Sequence, residues 1–149
     1  MSFFERAKGE QQSGPETIFR SISAEDLSAV LKDSGYLPEI SKRSDGNPII
    51  KFEVFGLRTV VFFFAPKDGA YEGFQFFAGF SLQNKPGQAK MNDWNVAKRF
   101  AKAYVDSDGD PTLEMDVDLE GGVTREFIAA RIRTWRSVLG AFARHIGYV

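Results

Sequence analysis

The chain has 149 residues, no cysteine, and 19 basic against 20 acidic side chains, for a net charge of −1. That length suits one domain with a core of its own. The missing thiols exclude a disulfide framework, a thiolate metal site and a cysteine nucleophile, and the balanced charge gives no field to hold a nucleic-acid backbone.

Residues 1–17, rich in Gln, Gly, Ser and charge with Gly14 and Pro15 as breakers, read as a flexible leader before a single domain over 18–149. No apolar run suits a signal peptide, and the longest apolar stretch, Thr59 to Ala65, is far short of the ~20 residues of a membrane helix. With no cysteine to oxidise, the sequence points to a cytoplasmic protein without a membrane segment.

Ser23, followed by Glu25 and Asp26, reads as an N-cap with first-turn acids. Leu27, Val30 and Leu31 then recur at helical spacing until Gly35. From Pro38 the pattern turns to strands: the Ile40 region, a turn at 44–47, Ile49 to Phe55, Arg58 to Phe64, a turn at 67–69, and about Gly73 to Leu82. Asn92 and Asp93 predict a cap for a helix over Trp94 to Phe100. A hairpin follows, Ala103 to Asp106 and Thr112 to Leu119, turning at Ser107 to Asp110. Thr124 caps a last helix to about Ile146, whose apolar stripe is Ile128, Ile132, Trp135, Leu139, Phe142 and Ile146. The order defines an α+β fold, an antiparallel sheet of five to six strands with three helices, rather than a doubly wound parallel one.

No catalytic constellation emerges. Asp106, Asp108 and Asp110 suggest a calcium loop, but the glycine and the bidentate glutamate of an EF-hand are missing from their places, so an ordinary turn is expected. Glu114, Asp116, Asp118 and Glu120 share one strand face, where a solvated row, or one bridged to the last helix, is expected first, a basic partner next, and a carboxylate pair in a cleft last. Arg125, Arg131, Arg133, Arg136 and Arg144 on the last helix are read as solvated or as dipole partners before a phosphate site. His145 is expected to be solvated at the helix end. Neither metal nor cofactor is called for.

Both faces of the strands are apolar: Val60, Phe62 and Phe64 point one way, Val61 and Phe63 the other. Three helices need not cover both, and an uncovered aromatic patch of several hundred Å2 marks an interface. Val61, Phe63, Phe77, Trp94, Asn95, Glu114, Asp116 and Asp118 are the candidate interface residues. For Trp94 and Asn95, a packed indole and a backbone-bonding amide at the helix–hairpin junction stand as the structural reading.

Asn92, Asp93, Trp94 and Asn95 with Arg99 and Phe100, then Asp106 to Gly109 with Leu113, Asp116 and Leu119, then Gly122, Val123 and Trp135, resemble the YbjN family of bacterial sensory transduction regulators. The likeness covers about Leu27 to Phe142. It implies a fold similar to type III secretion chaperones, small proteins that dimerise and hold client segments. It thus implies a non-enzymatic regulatory or chaperone-like domain, homodimeric, serving bacterial stress or signalling responses through a protein partner. The alternative is a sensor that takes a small apolar ligand between the sheet and the C-terminal helix.

Overall fold

The computed structural model describes residues 16–149; all but the end of the leader proposed over 1–17 lies outside the described residues. Among these the order is β1 (Ile18–Phe19), α1 (Ala24–Asp33), β2 (Glu39–Lys42), β3 (Pro48–Val54), β4 (Leu57–Lys67), β5 (Ala70–Gly79), α2 (Gly87–Ala97), β6 (Lys102–Val105), β7 (Pro111–Asp118), β8 (Val123–Thr124) and α3 (Arg125–His145). Six strands form one antiparallel sheet in the order β2-β3-β4-β5-β7-β6, and β1 pairs with β8 in a two-stranded sheet of its own. This is the α+β class expected, with three helices.

The first and last helices start where the sequence predicts. Ser23 Oγ accepts from the Asp26 N–H at 3.1 Å, and Thr124 Oγ1 from the Phe127 N–H at 2.9 Å. Each satisfies a donor that the first turn leaves open. The middle helix differs from the expected Trp94 to Phe100. It begins seven residues earlier at Gly87, without a side-chain cap, and stops at Ala97. Gln88, Ala89, Lys90 and Met91 are all good helix formers, but only Met91 and Trp94 are buried, so there is almost no apolar period to read. The strand expected over 73–82 is displaced similarly: β5 opens at Ala70, straight after the Asp68–Gly69 turn, where both residues have positive φ. The β1–β8 pair went unpredicted, because two-residue strands carry no periodicity.

All three helices lie on one face of the six-stranded sheet. Ile50, Phe52 and Val54 of β3, Val61 of β4, Phe74, Phe76 and Ala78 of β5, and Leu113, Met115 and Val117 of β7 join Leu27, Val30 and Leu31 of α1, Met91 and Trp94 of α2, and the α3 stripe in one core. Trp135 is its centre. The indole stacks on Phe76 at 5.4 Å between centroids, and its Nε1–H donates to Thr59 Oγ1 at 2.9 Å, both partners being fully buried. The hydroxyl of Thr59 thus meets the one polar atom that the indole brings into the core.

The sheet's two edges are treated differently. Beyond β6, the Asn95 side chain donates Nδ2–H to Ala103 O at 2.9 Å and accepts from Ala103 N–H at 2.8 Å. The amide stands in for a neighbouring strand and closes that edge to further pairing. The β2 edge is only four residues long and carries Glu39 and Lys42, a short and charged edge that discourages pairing by other means.

Candidate protein interface

Side chains alternate along a strand, so the opposite face of the sheet is built from the residues between those of the core. Two rows cross it. One runs Ser41, Ile49, Phe62, Gln75, Asp116; the other runs Glu39, Lys51, Val60, Phe77, Glu114, Lys102. Among the described residues no helix packs on this face. Phe62 and Phe77 meet edge to face at 5.5 Å, and the Arg43 guanidinium lies 5.4 Å from the Phe62 centroid. Next to them Phe64, 37% exposed, spreads its ring over Gly73. A Cβ at Gly73 would sit 2.1 Å from Phe64 Cε2, so only glycine admits the ring there.

Beside this aromatic strip lies a polar margin. Gln75 Nε2 donates to Asp116 Oδ1 at 2.8 Å and to Glu114 Oε2 at 3.3 Å, Lys102 Nζ stands 3.4 Å from Glu114 Oε2, and the Tyr104 hydroxyl donates to Glu114 Oε1. Desolvation of the phenol, then this hydrogen bond and the Glu114 charge, push the Tyr104 pKa up to about 12. Asp118 Oδ1 accepts from the Glu120 N–H at 3.0 Å. The acidic row is therefore not bridged to the last helix, as one sequence reading held: α3 lies on the other face, and the partners come from β5 and β6.

The residues singled out in the sequence fall in three places. Phe77, Glu114, Asp116 and Asp118 are on the helix-free face. Phe63 points to the helix side, where it packs against Tyr71 at 5.1 Å and Phe74 at 6.4 Å. Val61 and Trp94 have 0% exposure and present nothing to a partner. Val61 is a core position of β4, and the Trp94 indole donates to Ala101 O at 3.1 Å. Asn95 is occupied at the β6 edge. Lys51, Val60, Phe62, Gln75, Lys102 and Tyr104 share the face with Phe77; sequence reasoning has Val60 and Phe62 only as one of two apolar sides of β4 and passes over the other four. The signal was the alternation of Lys51 and Glu53 with Ile50, Phe52 and Val54, which names the outward side of β3 and, through register, that of its neighbours.

The other clusters resolve as follows. Asp106, Asp108 and Asp110 bring carboxylate oxygens within 4.8 Å of one another. Asp106 Oδ1 accepts from the Asp108 and Asp110 N–H groups at 2.9 Å, and Lys85 Nζ reaches Asp110 Oδ1 at 3.0 Å and the Asp108 carbonyl. These bonds account for the acids as a turn knit to its neighbour loop. His145, expected to be solvated, instead lies against Trp94 and Phe142, and its Nε2 lies 2.8 Å from Lys90 O; a carbonyl only accepts, so that nitrogen carries the proton. The space between sheet and last helix, where a sensor would take its ligand, is filled by Phe74, Phe76 and Trp135.

On its outward side α3 carries four arginines. Arg133 pairs with Glu126 at 2.8 Å. Arg131 lies between the rings of Phe100 and Phe127, at 5.5 and 5.4 Å, with its buried Nε unpartnered among the described residues. Arg136 lies 4.9 Å from the Phe55 centroid. Arg136 and Arg144 form no ion pair among the described residues.

The architecture is thus that of an α+β domain with one sheet face packed and the other bearing aromatic and charged rows, with Asp116 and Asp118 exposed and the Glu114 side chain mostly covered by its partners. Residues 23–147 match the family described as "putative bacterial sensory transduction regulator", and the chain belongs to this YbjN family. No curated protein and no solved structure gives a match, so the likeness to type III secretion chaperones rests on the sequence resemblance alone. No helix among the described residues is long and apolar enough to cross a membrane.

Proposed function

We propose that this domain is a regulator that works by binding protein rather than by catalysis, and that the helix-free sheet face joins two copies of the chain. The observation that carries the reading is the charge order of one row. Glu39, Lys51, Val60, Phe77, Glu114 and Lys102 read acid, base, apolar, apolar, acid, base across six strands. A two-fold axis along the strands, between β4 and β5, lays this row on its own reverse. Lys51 then faces Glu114 of the second copy, Glu39 faces Lys102, and Val60 faces Phe77. Self-complementarity of this kind is what an isologous contact requires, and packed sheets keep their strands within roughly 30° of each other.

The face is modest in size. At a strand spacing of about 4.8 Å and a rise of about 3.3 Å per residue, six strands and the two rows above, with a shorter row on either side (Phe64, Gly73, Asp118; and Glu53, Arg58, Thr112, Tyr104), span roughly 25 by 20 Å. That falls below the ~800 Å2 per partner of a standard interface, and it supports a dimer whose population depends on concentration rather than an obligate one. Asp116 and Asp118 are exposed, and the Glu114 carboxylate is engaged by Gln75, Lys102 and Tyr104; this supports binding over acid–base chemistry, which needs opposed environments in a cleft.

Light scattering behind size exclusion over a concentration series tests the reading. The expected result is a mass that rises towards a dimer, and a Phe77→Glu variant that stays folded and monomeric. A wild type that remains monomeric throughout, with Phe77→Glu unfolding, would make Phe77 a packing residue and remove the interface.

A further inference from the structure

We propose that the outward face of α3, between Phe55 and Phe100, is a docking surface for an acidic protein segment that also carries apolar side chains. The inference stands apart from the sheet-face reading, since the two surfaces lie on opposite sides of the domain.

Charge is the first ground. From Phe127 to Val149 the sequence holds four arginines and no aspartate or glutamate, in a chain whose net charge is −1. Cations in the last turn are accounted for by the helix dipole, which covers Arg144, and Arg133 is paired with Glu126, but Arg136 in the middle of the helix has neither account. The exposed Arg133 and Ser137, one turn apart, form a ridge with a cleft on either side. One cleft, of about 480 Å3, runs by Phe55, Arg136, Gly140 and Arg144; the other, of about 420 Å3, runs by Phe100 and Arg131.

The flanking rings are the second ground. Phe55 and Phe100 are 62% and 63% exposed, and both have positive φ, 55° and 78°. That region is an outlier for a bulky side chain. Phe55 stands first in a two-residue hairpin turn before Gly56, where asparagine would fit the backbone without strain. Its ring lies over Gly140, where an added Cβ would come within 3.3 Å of Phe55 Cε2, and each of the two rings carries a guanidinium. Strained residues persist where the surroundings or a task hold them. Neither ring is held by burial.

The occupant follows from the chemistry. Guanidinium forks match carboxylates, and two exposed rings match apolar side chains between them. The span from Arg133 to Arg144 is roughly 16 Å at 1.5 Å per residue, the reach of about five extended residues. A single-stranded nucleic acid would also stack its bases on the rings, but its backbone needs a longer run of cations than this face carries in a chain of net charge −1.

The test is fluorescence anisotropy of the full chain with a labelled dodecapeptide alternating Glu with Leu and Phe. A Lys-for-Glu version, a single-stranded RNA dodecamer and phosphatidylserine vesicles serve as competitors. The expected result is binding of the acidic peptide alone, weakened by salt, and about tenfold weaker in the Arg136→Glu, Arg144→Glu variant. Phe77→Glu should leave it unchanged. Phe55→Asn should weaken it several-fold without lowering Tm, which decides the matter even if the double reversal misfolds. Absence of binding, indifference to both variants, or stronger competition by RNA or vesicles would overturn the proposal.

Discussion

The two faces of the six-stranded sheet are built from the same residue types and have opposite fates. Phe74 and Phe76 on β5 are sealed in the core with Trp135, while Phe77, one residue further along the same strand, lies with Phe62 and Val60 on a face that no helix covers among the described residues. Composition does not separate them. What does is the company along each row: the helix side is apolar from β3 to β7, whereas the other side brackets its aromatics with Lys51, Gln75, Glu114 and Asp116. A face made only for burial has no use for charges in register, and a face made only for water has no use for three phenylalanines.

The two faces should respond differently to mutation. Trp135→Ala should cost about 3–5 kcal/mol in urea unfolding, because it opens a cavity and strands the Thr59 hydroxyl. Phe77→Ala should cost the isolated monomer far less, about 1 kcal/mol, and should act mainly on self-association. Similar losses from both would mean that the outer aromatics are core.

Asn95→Ala sharpens it at the margin where the faces meet. The loss of two hydrogen bonds to Ala103 should lower stability by about 1–2 kcal/mol. It should also expose the β6 edge, visible as slow aggregation in a turbidity assay. The smallest effect is a titration. Tyr104 keeps its proton in the folded state to a pH of about 12, above the ordinary phenol value of about 10. The unfolded chain therefore releases that proton first, and the contribution to stability, complete below about pH 10, is lost as pH rises towards 12. Phenolate absorbance should show the late titration, and Glu114→Gln should lower it only in part, since desolvation is the largest cause of the shift.

Much of this was legible in the chain. Ser23 and Thr124 marked two helix starts, the α3 stripe named most of its buried residues, and the Asp-Gly turns placed three hairpins. The middle helix was misplaced because Met91 and Trp94 alone give it no period. On β4 the sequence could not choose between Val60 and Phe62 on one side and Val61 and Phe63 on the other, since both sets are apolar. Only the register with Lys51 and Glu114 tells the faces apart, and register comes from pairing rather than from one strand's own sequence. The strain at Phe55 and Phe100 was equally silent, because a phenylalanine with positive φ has no signature in composition.

The most direct test of the sheet-face account is sedimentation equilibrium on wild type, Lys51→Glu, Glu114→Lys and the double swap. The account predicts a micromolar dimer, at least tenfold weaker in each single variant because the two-fold axis repeats the contact, and recovery in the double, which isolates the pair from each residue's neighbours within the chain. A wild type with no dimer at any concentration, or a double swap no better than the singles, would contradict it.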